Sequence, residues 1–177
     1  MRKFKLAILA TLLVGSFALT STATADVQTR VVSPTGLITQ LKTWWNNGRA
    51  DNYSSGTQAG DNSAVAAGYT FIRNEAWVET TQVAGTKPLW LYWNASRGDN
   101  FTTATTAGRN SAIAAGYTFI RVEGYVYTSQ VSGTVPLYTY WNASRGDNFS
   151  AASAAGIRSA QAAGYTRIRV EGYVIPV

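Results

Sequence analysis

The chain alternates apolar and polar positions in one pattern that it writes three times. The pattern opens with an aromatic-rich run, Leu89-Trp90-Leu91-Tyr92-Trp93, matched by Leu137-Tyr138-Thr139-Tyr140-Trp141 and Leu41-Lys42-Thr43-Trp44-Trp45. Such residues suit a pleated, half-buried surface, so each run predicts a strand. Trp93, Trp141 and Trp45 then face one side of that strand, and Tyr92, Tyr140 and Trp44 the other. A polar turn follows, Asn94-Ala95-Ser96-Arg97-Gly98-Asp99, with Gly98 and Gly146 free to take a positive φ. A short second strand, Asn100 to Thr103, completes a hairpin.

Thr105 to Gly116 is rich in small residues and closes on a glycine, which predicts a short helix with a glycine cap. From Tyr117 to Tyr127 the alternation is clean. It places Thr118, Ile120, Val122, Gly124 and Val126 on one face and Tyr117, Phe119, Arg121, Glu123, Tyr125 and Tyr127 on the other. Residues 129–134 and 81–86 are expected to form hairpins that link one repeat to the next.

The period is 48 residues: Asp51, Asp99 and Asp147 are in register, and so are Gly68, Gly116 and Gly164. Across Pro88–Tyr127 and Pro136–Ile175, 29 of 40 positions are identical. A fixed period without gaps implies one supersecondary unit used three times. The expected fold is mainly β with one short helix per repeat (α+β), in a single domain of residues 39–177 divided at 39–86, 87–134 and 135–177. Pairing of the last strand (170–177) with the first (37–45) would leave no exposed edges. That favours a closed, pseudo-threefold, β-trefoil-like domain; the alternative is a linear repeat stack, which needs capping units.

Composition changes this picture at its edges. Residues 1–25 read as a signal peptide, with Arg2, Lys3 and Lys5 before the apolar run Leu6–Leu19 and Ala23-Thr24-Ala25 as cleavage site. The expectation is a secreted protein cleaved after Ala25, with a leader arm over 26–38 and no transmembrane segment. Without the signal peptide, 12 basic residues stand against nine acidic ones, a net charge of +3. No basic run makes a nucleic-acid stripe. The chain has no cysteine and no histidine. That excludes disulfides, Ser-His-Asp and Cys-His triads, and ordinary zinc or copper sites. No cofactor and no metal is expected.

The candidate ligand-binding residues are those of the repeated turn. They are Trp93, Asn94, Arg97, Asp99 and Asn100 with Tyr92; Trp141, Asn142, Arg145, Asp147 and Asn148 with Tyr140; and Asn46, Arg49, Asp51 and Asn52 in the drifted first copy. Carboxylate and amide groups match the donor and acceptor pattern of sugar diols, and an aromatic face stacks on a sugar ring. The same Asp and Asn also hold turns through side-chain-to-backbone bonds, and a strand Trp also packs in a core. Arg73 with Glu75, Arg121 with Glu123, and Arg169 with Glu171 read as structural ion pairs. A pair of carboxylates also permits glycoside hydrolysis, but threefold repetition of every candidate suits avidity better than one asymmetric catalytic centre. The expected function is therefore an exported, multivalent, lectin-like protein binding a glycan or cell-surface polysaccharide. The alternatives are a secreted protein-binding inhibitor or toxin component, and a carboxylate-dependent glycosidase.

These landmarks (Asn94, Gly98, Asp99, Phe101, Gly116, Tyr117, Glu123 and Gly124, and again Asn142, Gly146, Asp147, Phe149, Gly164, Tyr165, Glu171 and Gly172) resemble a family of short repeats in secreted bacterial and fungal proteins. That family shows aromatic-Asn, then Gly-Asp-x-Phe, a short helix, and Glu-Gly. Asn100 and Asn148 stand where it carries His. The resemblance implies an exported accessory module, often beside hydrolase domains, for wall or glycan binding.

Overall fold

A computed structural model describes residues 36–177; the predicted signal peptide and residues 26–35 of the leader lie outside the described residues. The order strand, strand, helix, strand recurs three times. The first set is β1 (Ile38–Asn46), β2 (Asp51–Ser55), α1 (Gln58–Ala66) and β3 (Thr70–Glu79). The second is β4 (Thr86–Asn94), β5 (Asp99–Thr103), α2 (Thr106–Ala114) and β6 (Thr118–Tyr127). The third is β7 (Val135–Asn142), β8 (Asp147–Ala151), α3 (Ala154–Ala162) and β9 (Thr166–Val174). The described residues are thus mainly β with three short helices. Their nine strands form a single open antiparallel sheet. None of the described helices is long and apolar enough to cross a membrane.

Local chemistry accounts for the elements. Gly98 and Gly146 take φ of 69° at the tip of the β4–β5 and β7–β8 hairpins, as the turn reading required. The drifted copy puts Ala50 there at φ 54°, a left-handed conformation that a Cβ disfavours. Each helix starts on a hydroxyl cap: Thr57, Thr105 and Ser153 accept from the backbone N–H of Gly60, Gly108 and Gly156. Each stops at the glycine that the sequence marks, Gly68, Gly116 and Gly164, all at positive φ.

Three expectations are corrected. The linkers do not form hairpins between repeats: β1 pairs with β3 and β4 with β6, which occupies those edges. Instead Val83–Thr86 and Val131–Thr134 fold on themselves, with each threonine hydroxyl bonded to the valine carbonyl (2.7 and 2.6 Å). Nor do the first and last strands pair. Ile38 already belongs to β1, which lies between β2 and β3. β3 and the end of the chain meet through a bridge between Trp77 and Ile175. The other links between repeats are equally brief, Glu79 with Tyr125 and Tyr127 with Tyr173.

The third correction concerns alternation in the long strands. Opposite β4, the register of β6 skips Glu123 and Ile120. Opposite β1, β3 skips Glu75 and Ile72; opposite β7, β9 skips Glu171 and Ile168. These six bulges re-aim their side chains. As a result Glu123 and Gly124, neighbours in sequence, are both buried.

The central core is built from one Leu and one Val of each repeat, Leu41, Leu89 and Leu137 against Val78, Val126 and Val174, with small alanines between them. Three satellite clusters pack each helix on its own hairpin, for example Ala112 of α2 against Tyr92, Phe101 and Tyr117.

Candidate binding clefts between the repeats

The turn aspartates do not face solvent. Asp51, Asp99 and Asp147 are 1–2% exposed and bring a carboxylate oxygen of each within 4.8 Å of the others. Every one accepts from the tyrosine that follows its own helix: Tyr69, Tyr117 and Tyr165 donate to Asp51, Asp99 and Asp147. Every one also accepts two bonds from the asparagine of the next repeat. Asn100 donates its backbone N–H (3.1 Å) and its Nδ2 (2.8 Å) to Asp51. Asn148 does the same for Asp99 (3.0 and 2.8 Å), and Asn52 for Asp147 (2.9 and 2.7 Å). The bonds therefore run from the first repeat to the second, the second to the third, and the third to the first.

Burial and mutual repulsion make these carboxyls hard to ionise. Desolvation, and then Asp147 and Asp99, raise Asp51 from 3.8 to about 9. Desolvation raises Asp99, and raises Asp147 to about 7. The three titrate as a set. Close carboxylate oxygens are also the donor type that hard cations take, but here each already serves a tyrosine hydroxyl and an asparagine amide.

The bulge glutamates hold the helices. Glu75, Glu123 and Glu171 are 0–1% exposed. Each caps a helix of another repeat. Oε2 of Glu171 accepts from the backbone of Ala104 (2.8 Å) and Thr105 (3.1 Å) and from both threonine hydroxyls, Thr103 and Thr105. Glu123 binds Gly56 and Thr57, and Glu75 binds Ala152 and Ser153, in the same way. A carboxylate at a helix N-terminus is favoured by the free N–H groups and the helix dipole. This approach explains the glycine inside each helix. A Cβ on Gly60 or Gly156 would lie 2.6 or 2.3 Å from the incoming carboxylate, and one on Gly108 would lie 1.9 Å from Thr103 Oγ1. The predicted ion pairs are present, Arg73–Glu75 at 3.1 Å, Arg121–Glu123 at 3.0 Å and Arg169–Glu171 at 3.7 Å.

A cleft open to solvent lies at each junction between repeats. The first lies between Tyr53, Ser63 and Tyr69 on one side and Trp93, Ile120 and Arg121 on the other. The second has Phe101, Ser111 and Tyr117 facing Trp141, Ile168 and Arg169. The third has Phe149, Ser159 and Tyr165 facing Trp45, Ile72 and Arg73. Their volumes are about 170, 240 and 180 Å³, below the roughly 300–1,000 Å³ of pockets for drug-sized ligands. Across each mouth lies an arginine of the turn. Arg49 sits over the rings of Tyr69 (5.6 Å) and Trp93 (5.2 Å). Arg97 bridges Tyr117 and Trp141, and Arg145 bridges Tyr165 and Trp45.

The sequence-derived residues thus divide into three groups. Trp45, Trp93 and Trp141, half-buried, and Arg49, Arg97 and Arg145, exposed, meet at the clefts, together with Asn52, Asn100 and Asn148. Asp51, Asp99 and Asp147 lie behind them, closed to solvent. Trp44, Tyr92 and Tyr140 belong to the satellite cores. Asn46, Asn94 and Asn142 are structural: each donates Nδ2 to the last carbonyl of its helix, as from Asn94 to Ala115 (2.8 Å), and accepts from the turn backbone. Sequence reasoning missed Ser63, Ser111 and Ser159, which line the clefts. Their identity across the period of 48 was the available signal.

Residues 40–175 match the model of a family described as a domain of unknown function, DUF5648. The chain belongs to that family. No curated protein matches it, and no solved structure does. The DUF5648 match runs from within β1 past the end of β9, clefts included.

Proposed function

We propose that this DUF5648 chain is an exported, multivalent binding protein of lectin-like character, whose ligand sites are the three clefts between repeats. The observation that carries this reading is the repetition of one lining: at each junction a half-buried Trp, a Tyr, a Ser, an Asn and two Arg face the same small space. An indole face and a tyrosine edge suit the apolar side of a sugar ring, and Ser, Asn and guanidinium groups suit its hydroxyls. The reading includes a closed, pseudo-threefold, β-trefoil-like arrangement, supported by the bonds that run from the third repeat back to the first. Three shallow sites on one rigid body gain by avidity on a repetitive surface such as a cell-wall polysaccharide. Burial of the turn aspartates and bulge glutamates, each bonded to tyrosine, asparagine or a helix end, favours binding over carboxylate catalysis.

Titration with soluble polysaccharides, followed by tryptophan fluorescence and calorimetry, tests the proposal. The expected result is saturable binding that Trp93→Ala and Trp141→Ala each weaken and the double variant weakens further. Undiminished binding by a folded Trp45→Ala/Trp93→Ala/Trp141→Ala protein would rule out the clefts.

A further inference from the structure

The fold sorts charge by depth, and the sorting identifies the ligand's chemistry. Eight acidic side chains lie in the described residues, and seven of them are buried: Asp51, Asp99, Asp147, Glu75, Glu79, Glu123 and Glu171. The eighth, Asp61, is held by Lys42 and by the hydroxyl of Ser55 (2.6 Å). Cations are distributed the opposite way. Arg49, Arg97, Arg109, Arg145, Arg158 and Arg167 are all exposed. None of the six enters an ion pair; among the described residues the pairs are Lys42–Asp61 and the three bulge pairs. A net charge near +3 therefore conceals a surface on which the unpaired charged side chains are positive. The raised pKa values of the aspartate set act in the same direction, since a protonated carboxyl cancels nothing.

Three of these arginines are placed for recognition. Arg49, Arg97 and Arg145 lie over the Tyr and Trp of each cleft, 5.2–5.8 Å from the ring centroids, which holds a long flexible side chain at the mouth. Nη1 of Arg49 and of Arg145 donates to the cleft tyrosine hydroxyl (3.4 Å each). A guanidinium carries five N–H donors, so others remain for a carboxylate or sulfate, the groups that arginine takes in two parallel bonds. The second cleft differs in its inner arginine. There Arg169 makes no bond to Ser111, whereas Arg121 bonds Ser63 and Arg73 bonds Ser159 (2.9 Å each). Its Nη1 is buried without a hydrogen-bond partner, 3.7 Å from Glu171 Oε1, in a residue that lines the largest of the three clefts.

We infer that the ligand is an acidic polysaccharide, whose ring seats on the cleft Trp and whose carboxylate or sulfate is taken by Arg49, Arg97 or Arg145. This rests on the cleft reading above and narrows it. Nucleic acid, the other polyanion, is less well fitted. The half-buried rings stand singly in small separate clefts under an arginine, rather than in a row on which successive bases can stack.

The test compares polygalacturonate with its fully methyl-esterified, uncharged form, using the whole folded protein and calorimetric titration at low and physiological ionic strength. The acidic polymer is expected to bind at least about tenfold more tightly than the ester and to weaken with salt. Arg49→Gln/Arg97→Gln/Arg145→Gln, checked for an unchanged thermal transition, is expected to lose about 100-fold, near fivefold per cleft. Equal, salt-insensitive binding of both polymers would overturn the inference and leave the cleft proposal standing. Absence of binding to either, with the tryptophans unresponsive, would overturn both. Duplex DNA bound as tightly as polygalacturonate, with the same arginine dependence, would overturn the assignment to a polysaccharide.

Discussion

The first and second clefts solve one problem with opposite residues. Behind each lies a buried glutamate whose Oε1 needs a hydroxyl donor. In the second cleft Thr139 of the strand supplies it (2.7 Å), and the hairpin residue is Phe101. In the first cleft the strand residue is Leu91, and the hydroxyl comes from the hairpin, Tyr53 to Glu123 (3.2 Å). The third follows the second, with Thr43 bonded to Glu75 (3.4 Å) and Phe149 in the hairpin. Each glutamate receives one such hydroxyl and never two. The same economy appears on the flank of each helix. Lys42 pairs with Asp61 in the first repeat, Arg109 lies 5.7 Å from the Trp90 ring in the second, and Tyr138 and Ile157 pack against the same apolar cluster in the third. An ion pair, a cation–π contact and an apolar contact occupy one place. Drift between the repeats is therefore compensated in pairs, and substitutions that look like decay in one line of sequence are matched in another.

The largest effect belongs to what the clefts share. Removing the cap takes the acceptor from Arg121, one backbone N–H (Gly56) and the hydroxyls of Tyr53 and Thr57 in Glu123→Ala, and from Arg169, two backbone N–H groups (Ala104 and Thr105) and the hydroxyls of Thr103, Thr105 and Thr139 in Glu171→Ala. Each is expected to cost about 3–5 kcal/mol in urea unfolding followed by tryptophan fluorescence. A loss of less than about 1 kcal/mol would show that the capped helices do not depend on the glutamate.

Next comes pH. The aspartate set has folded-state values above the ordinary 3.8, about 9 for Asp51 and about 7 for Asp147. The native state then binds more protons than the unfolded chain between those limits. The stabilising contribution of the protonated set is complete below the unfolded value and is lost as pH rises through the folded ones. Urea midpoints are expected to fall from mildly acid to alkaline pH, and Asp51→Asn is expected to flatten that slope. A steeper slope in the variant would refute the assignment.

The exchange of hydroxyls can be tested directly. Tyr53→Phe alone is expected to cost about 1–2 kcal/mol, because Glu123 and Arg121 both lose a partner. Adding Leu91→Thr reproduces the second cleft and is expected to recover about 1 kcal/mol in a double-mutant cycle. Strict additivity of the two changes would mean that the repeats are not compensated at this position. The smallest effect is a gain. Ala50→Gly relieves the left-handed alanine of the drifted turn and is expected to add about 0.5–1 kcal/mol in the same unfolding assay.

Local features were legible in the sequence because local chemistry decides them. The glycine turns, the hydroxyl-capped helices that stop at Gly68, Gly116 and Gly164, the Arg–Glu pairs and the two-faced aromatic strands all follow from near neighbours. Contacts between repeats were not legible. Nothing in the stretch Trp93–Phe101 tells that Asp99 turns inward to meet Asn148 while Arg97 turns outward to meet Trp141. The partners lie more than 40 residues away and are chosen by how the strands pack. The bulges at Glu123 and Ile120 were hidden for a related reason. A strict alternation in sequence predicts a flat register, and only the partner strand reveals which residues it skips.

The crossed capping has a consequence for inheritance. A helix whose N-terminus is closed by a glutamate from a different repeat has no complete unit of its own to copy, lose or lend. Deleting one set of 48 residues would strand a carboxylate on one side and an open helix end on the other. A chain shortened by one repeat would therefore have to form a capping pair that this structure does not contain.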